Sequence, residues 1–306
     1  MIDADTETRA DTEIHEMHAE PGPWRRELGD IIRGLSGGFL FGIPLLYTME
    51  VWWLGTFTEP WRLLVILLVS FAINWMLSRF AGFRQEDAGV QLGAATDALE
   101  AMAIGVVASA VTLMVLGEVR PGLPLDTMLG MIVLESIPFS LGVSIASGLL
   151  RGNKDDPGKG EQEDQPPEDK PAANATLRDA GATLAGALFI AFSIAPTEEV
   201  PMLAANLSTL GVVMLAFFSL VVSYAITFEA GFADQQARRA QQGIFQRPLS
   251  ETVFSYLISL LVAAALLWLF KQLEVADPLR VWLERTIVLG LPAAIGGSAG
   301  RLAVGG

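Results

Sequence analysis

Eight stretches of predominantly apolar residues recur along the chain, at about 34–55, 61–79, 96–117, 125–150, 180–204, 207–229, 252–270 and 281–304. A helix needs about 20 such residues to cross a hydrocarbon core of roughly 30 Å, and each stretch comes close to that length. Lipid tolerates only backbone that satisfies its own hydrogen bonds, so a chain of this kind is expected to be an all-α, polytopic membrane protein with eight transmembrane helices. Polar or Pro/Gly-containing turns such as GTFTEPW, GEVRPGLPLD and KQLEVADPLR separate most of the spans. An even number of crossings puts both chain ends on the same side.

Composition agrees, because 306 residues that are 52% hydrophobic and 18% charged cannot cover their apolar surface with polar side chains. The net charge of −14 comes largely from acids in two polar stretches, 1–23 and 152–171. With no cysteine in the chain, disulfides and thiolate metal sites are excluded. The two histidines, His15 and His18, lie in the polar N-terminal stretch, which lacks the basic and apolar regions of a secretory signal and reads as a disordered cytoplasmic tail over 1–24.

Basic residues set the orientation. Fifteen Lys and Arg, including Arg25, Arg26, Arg33, Arg79, Arg151, Arg238 and Arg301, fall on one side of the eight-span scheme. Only Arg62, Arg120, Lys271, Arg280 and Arg285 fall on the other. The positive-inside rule then makes both termini cytoplasmic. Trp52, Trp53, Trp61, Trp268 and Trp282 would form an aromatic belt at the outer interface, with Trp24 and Trp75 near the inner one.

The two halves match each other. At an offset of 149, Asp30, Leu35, Gly37, Thr48, Glu50, Val51 and Leu54 meet Asp179, Leu184, Gly186, Thr197, Glu199, Val200 and Leu203, and Ala81-Gly82-Phe83 meets Ala230-Gly231-Phe232. The fourth spans end alike, with Ile137-Pro138-x-x-Leu141-Gly142-x-Ser144 against Leu291-Pro292-x-x-Ile295-Gly296-x-Ser298. Two parallel four-helix repeats, 25–150 and 178–306, are therefore expected, related by a pseudo-twofold axis along the membrane normal as in some transporters. The stretch 151–177 between them is polar and Pro-rich and reads as a disordered cytoplasmic linker.

An ionisable group inside a span costs on the order of 2.5 to 3.5 kcal/mol even on the insertion scale, so each one is a functional candidate. Glu135 is the clearest, about ten residues into the fourth span and thus roughly 15 Å deep, with Pro138 following it. The alternative is an acid that hydrogen-bonds helices together. Its counterpart in the second half is Leu289, so a site there would be asymmetric. Glu50 and Glu199 are the matched pair, near the outer ends of their spans; Pro44, Pro196 and Pro201 should bend or break the helices beside them. With Glu198 they suggest an outward-facing carboxylate cluster for a cation, or else solvated interfacial acids. Glu229, Asp97, Glu100 and Glu251 sit near cytoplasmic helix ends, where capping and solvation explain them. Ser136, Ser140 and Ser144 recur every fourth residue, a pattern that permits close helix packing or lines a polar path past Glu135.

On the TMEVWWLG, TEEVPMLA and paired AGF segments, the chain resembles an uncharacterised, domain-of-unknown-function family of bacterial integral membrane proteins, over residues 25–305. That resemblance implies a membrane protein and carries no established activity or site residue. Adjacent Glu198 and Glu199 also suggest the EExxxR motif of membrane prenyl-protease-type metalloproteins, but Leu203 stands where the arginine belongs and no span contains histidine.

The expected function is a transporter or channel for a small cation or proton, with Glu135 as the buried group and Glu50, Glu198 and Glu199 near its entrance; Ser136, Ser140 and Glu229 are secondary candidates. Oxygen is the only ligand type available to a bound metal, whose identity the residues leave unknown. The scarcity of general bases and ligands inside the spans argues against an enzyme. No cofactor and no nucleic acid are expected; the bilayer is the partner, and a homo-oligomer stays open. The alternative is a non-catalytic scaffold that recruits a partner through its acidic segments.

Overall fold

The computed structural model describes residues 23–80, 88–151, 172–229 and 248–304, and every regular element among them is helical. The first half holds α1 (Pro23–Leu46), short α2 (Glu50–Gly55), α3 (Pro60–Phe80), α4 (Ala88–Val115) and α5 (Leu125–Arg151). The second holds α6 (Ala172–Ile194), short α7 (Glu199–Asn206), α8 (Thr209–Tyr224) running into a π-helical turn (Ala225–Glu229), α9 (Pro248–Leu269) and α10 (Leu279–Val304). The expected tail lies outside the described residues apart from its last two, and α6 begins at Ala172, inside the stretch read as linker.

Six helices are long and apolar enough to cross a membrane, and a seventh span results if α6 and α7 are counted together. The expected continuous first span is interrupted: α1 stops at Leu46, two residues after Pro44, and α2 starts at Glu50. The indole of Trp52 donates to the carbonyl of Leu46 at 2.9 Å and closes this break. That contact buries Trp52, which therefore does not join an interfacial belt, whereas Trp53, Trp61 and Trp268 are exposed. In the second half Asp179–Ile194 and Glu199–Asn206 meet at 89°, with Pro196 at the corner. Proline has no N–H to continue the ladder and disfavours helical backbone in the residue before it.

Helices α3 and α10 show the two ways a helix meets its surroundings. The face of α3 carrying Leu64, Leu68, Val69 and Met76 is exposed, and only 11% of its apolar window is buried inside the protein. An apolar surface of that extent requires lipid. Helix α10 is the opposite, with residues 288–298 all buried. It packs against α6, α7, α8 and α9, as α5 packs against α1, α2, α3 and α4. Its middle is built from Ala293, Ala294, Gly296, Gly297 and Ser298, which suit helix contact, so it falls below the apolarity of a lipid-facing span.

Glycines set the closest approaches. A β-carbon on Gly37 of α1 would fall on the carbonyl oxygen of Gly142 of α5, and one on Gly186 of α6 on that of Gly296 of α10. The halves meet through α1, which touches α10 and the π-helical turn, and through a smaller α4–α8 contact.

Candidate functional site

Helix α5 presents a different chemistry to each neighbour. Toward α1 it offers Phe139 and Gly142: a β-carbon on Gly42 would strike the Phe139 ring, which also meets Phe39 edge-on at 5.8 Å. Glu135 stands one turn from Phe139, at the i, i+4 spacing that places two side chains on one helix face. Its exposure is 0%, and neither carboxyl oxygen has a hydrogen-bond partner among the described residues. Burying an unsatisfied polar group costs about 1–3 kcal/mol, and an ionised one more. Three residues on, Pro138 supplies no N–H, so the carbonyl of Leu134 lacks its ordinary helical donor.

The serines do not share that face. At 3.6 residues per turn, Ser136 lies about 100° and Ser140 about 140° around the helix from Glu135. Ser136 donates to the Val133 carbonyl at 2.7 Å and Ser140 to that of Ile137 at 2.9 Å. Ser140 also accepts from the Asn74 amide of α3 at 3.1 Å, and Ser144 donates to the Asn74 carbonyl oxygen at 2.7 Å. Asn74 further donates to the Ser70 carbonyl at 2.9 Å. Asn74, Ser70, Ser140 and Ser144 thus form a satisfied polar knot joining α3 to α5, on a different face from Glu135. Asn74 was not singled out from the sequence, although a lone amide in so apolar a helix, four residues after Ser70, was the available signal.

The remaining acids are dispersed. Glu50 is exposed at the start of α2. Glu199 begins α7 half-buried, with Oε2 lacking a partner among the described residues. Exposed Glu198 accepts from the Gln272 amide at 3.4 Å, and that amide also donates to the Pro196 carbonyl at 3.3 Å. Arg285 donates to the backbone carbonyl of Gln272, which ties α10 to the same corner. No group of three or more acidic or histidine side chains that could hold a metal occurs among the described residues. The side chain of Glu229 lies outside them.

Two buried interactions were not legible from residue types. Arg301, counted among the flanking charges of the cytoplasmic side, is 1% exposed and paired with Glu251 of α9. It also donates to the Ser255 hydroxyl at 2.9 Å and lies over the Phe228 ring at 5.7 Å. Glu251 is thus an ion-pair partner and not merely a solvated helix end. The second is Tyr47, fully buried at the end of α1, whose hydroxyl donates to the Val288 carbonyl of α10 at 2.5 Å. Pro292 of α10 leaves that carbonyl without a helical donor, and Tyr47 replaces the missing N–H from the other half.

Among the connections, Glu118 accepts from the Asn206 amide at 3.1 Å, bringing the α4–α5 connection against the end of α7. Burial pushes the Glu118 carboxyl above the ordinary range, while the Asn206 hydrogen bond and nearby Arg120 pull it down less strongly.

Residues 30–304 match the model of the family described as "Putative integral membrane protein (DUF2391)". No curated protein and no solved structure matches the chain. With a match that spans nearly its whole length, and with helices whose apolar faces call for lipid, the chain belongs to the DUF2391 family of integral membrane proteins.

Proposed function

We propose that this protein transports a small cation or a proton, as a carrier or channel, with Glu135 as the group that takes the ion. The carrying observation is a fully buried carboxyl near the middle of α5, without a partner among the described residues, in a helix surrounded by four others. A structural acid in such a place would be expected to hydrogen-bond a neighbouring helix, as Asn74 does. Glu50 and Glu199, at equivalent helix starts, serve as interfacial acids that draw cations to either half.

The reading includes eight crossing segments in two parallel repeats, with α10 as a crossing helix. Both halves run as one long helix, one short helix and three long ones. Gly37 meets Gly142 as Gly186 meets Gly296. Gly117 and Lys271, 154 apart, both take left-handed backbone (φ 77° and 61°) at the ends of matching helices. Transport between such halves suits α1, whose contacts with α10 and the π-helical turn join them. The Lys/Arg asymmetry puts both termini in the cytoplasm.

The test is ion flux into liposomes that contain the purified full chain. Wild type should move protons or a small metal cation faster than protein-free liposomes, and Glu135→Gln should fall to that background. If wild type moves none of them, transport is wrong; if Glu135→Gln matches wild type, Glu135 is not the ion-binding group.

A further inference from the structure

We infer that the ion taken by Glu135 is a proton and not a metal cation, and that each chain has one such site; this rests on the transport reading above and narrows it. A calcium ion takes about 6–8 oxygen ligands, and any hard cation stripped of water needs several. Glu135 offers one carboxyl on a face whose neighbours along the helix are Met131, Phe139 and Gly142, all buried. No cluster of three acids or histidines exists among the described residues to complete a shell. A proton needs only one oxygen lone pair, and the resulting neutral acid is the form that an apolar site accommodates.

Other charges on the elements packed against α5 lie in the first halves of their helices or beside the helix starts. Glu27, Asp30 and Arg33 are in the first turns of α1, where Arg33 pairs with Asp30 at 2.6 Å. Asp97 and Glu100 are in the first half of α4, Glu50 opens α2, Arg62 pairs with Glu59 beside the start of α3 at 3.2 Å, and Asp126 is in the first turn of α5 itself. Tyr47 is committed to the Val288 carbonyl.

Comparison of the halves gives the count of one. Pro138 and Pro292, 154 apart, each withhold an N–H from the carbonyl four residues earlier, on Leu134 and Val288. In the second half that carbonyl is occupied by Tyr47, and the residue after it is Leu289. In the first half the residue after the freed carbonyl is Glu135, and the position 149 beyond Tyr47 is Pro196, which has no donor to offer. The second half is a closed, apolar version of the position; the first keeps an acid beside a polar carbonyl. In transfer, an O–H bond forms at Glu135 with a proton delivered by water from one side. It breaks on release to water at the other, and no further reactant is needed.

The test uses the full chain in liposomes loaded with a pH-sensitive dye. Choline salts form the bulk medium, with potassium and valinomycin present only to clamp the voltage. Proton flux is expected in wild type without sodium or calcium, unchanged when either is added, retained in Tyr47→Phe and lost in Glu135→Gln. Infrared spectra of the same samples should contain the carbonyl stretch of a protonated carboxylic acid that Glu135→Gln removes. Should Glu135→Gln fail to elute like wild type, Glu135→Asp takes its place, with reduced flux and a shifted band expected. Sodium or calcium flux, or potassium flux measured without valinomycin, that needs Glu135 without proton flux would overturn the proton assignment and leave transport standing. Absence of the infrared difference would overturn it even if protons move, and absence of any ion flux would remove the transport reading and this inference with it.

Discussion

Tyr47→Phe removes one oxygen from a site where the consequence is calculable. The Tyr47 hydroxyl donates at 2.5 Å to the Val288 carbonyl, and the two residues are 1% and 0% exposed. Because residue 292 is proline, no helical N–H can take over the carbonyl, and water has no access to it. Leaving a buried acceptor unpaired costs about 1–3 kcal/mol, while interhelical hydrogen bonds in membranes average about 0.6 kcal/mol and reach about 1.7. A loss of about 1–2 kcal/mol is therefore expected. Pro292→Ala restores an N–H to the Val288 carbonyl, so in that background Tyr47→Phe should cost no more than about 0.5 kcal/mol. The four proteins form a double-mutant cycle in which the effect of proline on helix shape cancels, leaving a coupling of about 1 kcal/mol. Titration of purified protein from mild detergent micelles into dodecyl sulfate, followed by circular dichroism, measures each corner. An equal cost of Tyr47→Phe in both backgrounds would refute the idea that Tyr47 substitutes for the N–H that Pro292 lacks.

Three other predictions use the same unfolding measurement. Glu251→Gln removes the carboxylate charge paired with the buried Arg301 guanidinium, and because Glu251 itself is 14% exposed the cost should lie near the lower end of the range for broken buried pairs, about 3 kcal/mol. A loss below about 1 kcal/mol would mean that water screens the pair. Lys271→Gly should stabilise by roughly 1 kcal/mol, since Lys271 holds left-handed backbone at φ 61° just past α9, a conformation that glycine adopts freely, as Gly117 does past α4; a loss of stability would show that the lysine side chain outweighs the backbone strain. For Glu118, burial raises the folded-state pKa above that of the unfolded chain. The contribution of that shift is fully present below the unfolded value and lost as pH rises through the folded one. Wild type should therefore lose stability relative to Glu118→Gln from mildly acidic toward neutral pH, and a constant difference between them would refute the assignment.

Legibility depended on whether a feature is local. Pro44, Pro196 and Pro201 were expected to bend or break their helices; helix breaks do follow α1 and α6, because proline acts on its own backbone, whereas Pro201 sits in the first turn of α7, which continues through it. Glu135 was singled out by counting residues along its span; its complete burial among neighbouring helices is a tertiary fact. The serines of α5 were left open between packing and a polar path; in the structure Asn74, from another helix, bonds Ser140 and Ser144, while Ser136 bonds only the backbone of its own helix. Trp52 was assigned to an interface by residue type, yet the break after α1 folds it inward onto Leu46. Arg301 was counted only as one of the cytoplasmic-side charges, because its partner Glu251 lies fifty residues away and only the packing of α9 on α10 brings them together.

By itself, the sequence determined that this is a helical membrane protein and singled out the acid in the middle of a long apolar stretch, since hydropathy, proline and residue spacing act within about twenty residues of chain. Tertiary structure alone decided which buried polar groups find partners. It gave Tyr47 to Val288, Asn74 to two serines and Glu251 to Arg301, and it left Glu135 without a partner among the described residues. Those outcomes depend on which helix faces meet, and at each facing pair the partner belongs to a different helix.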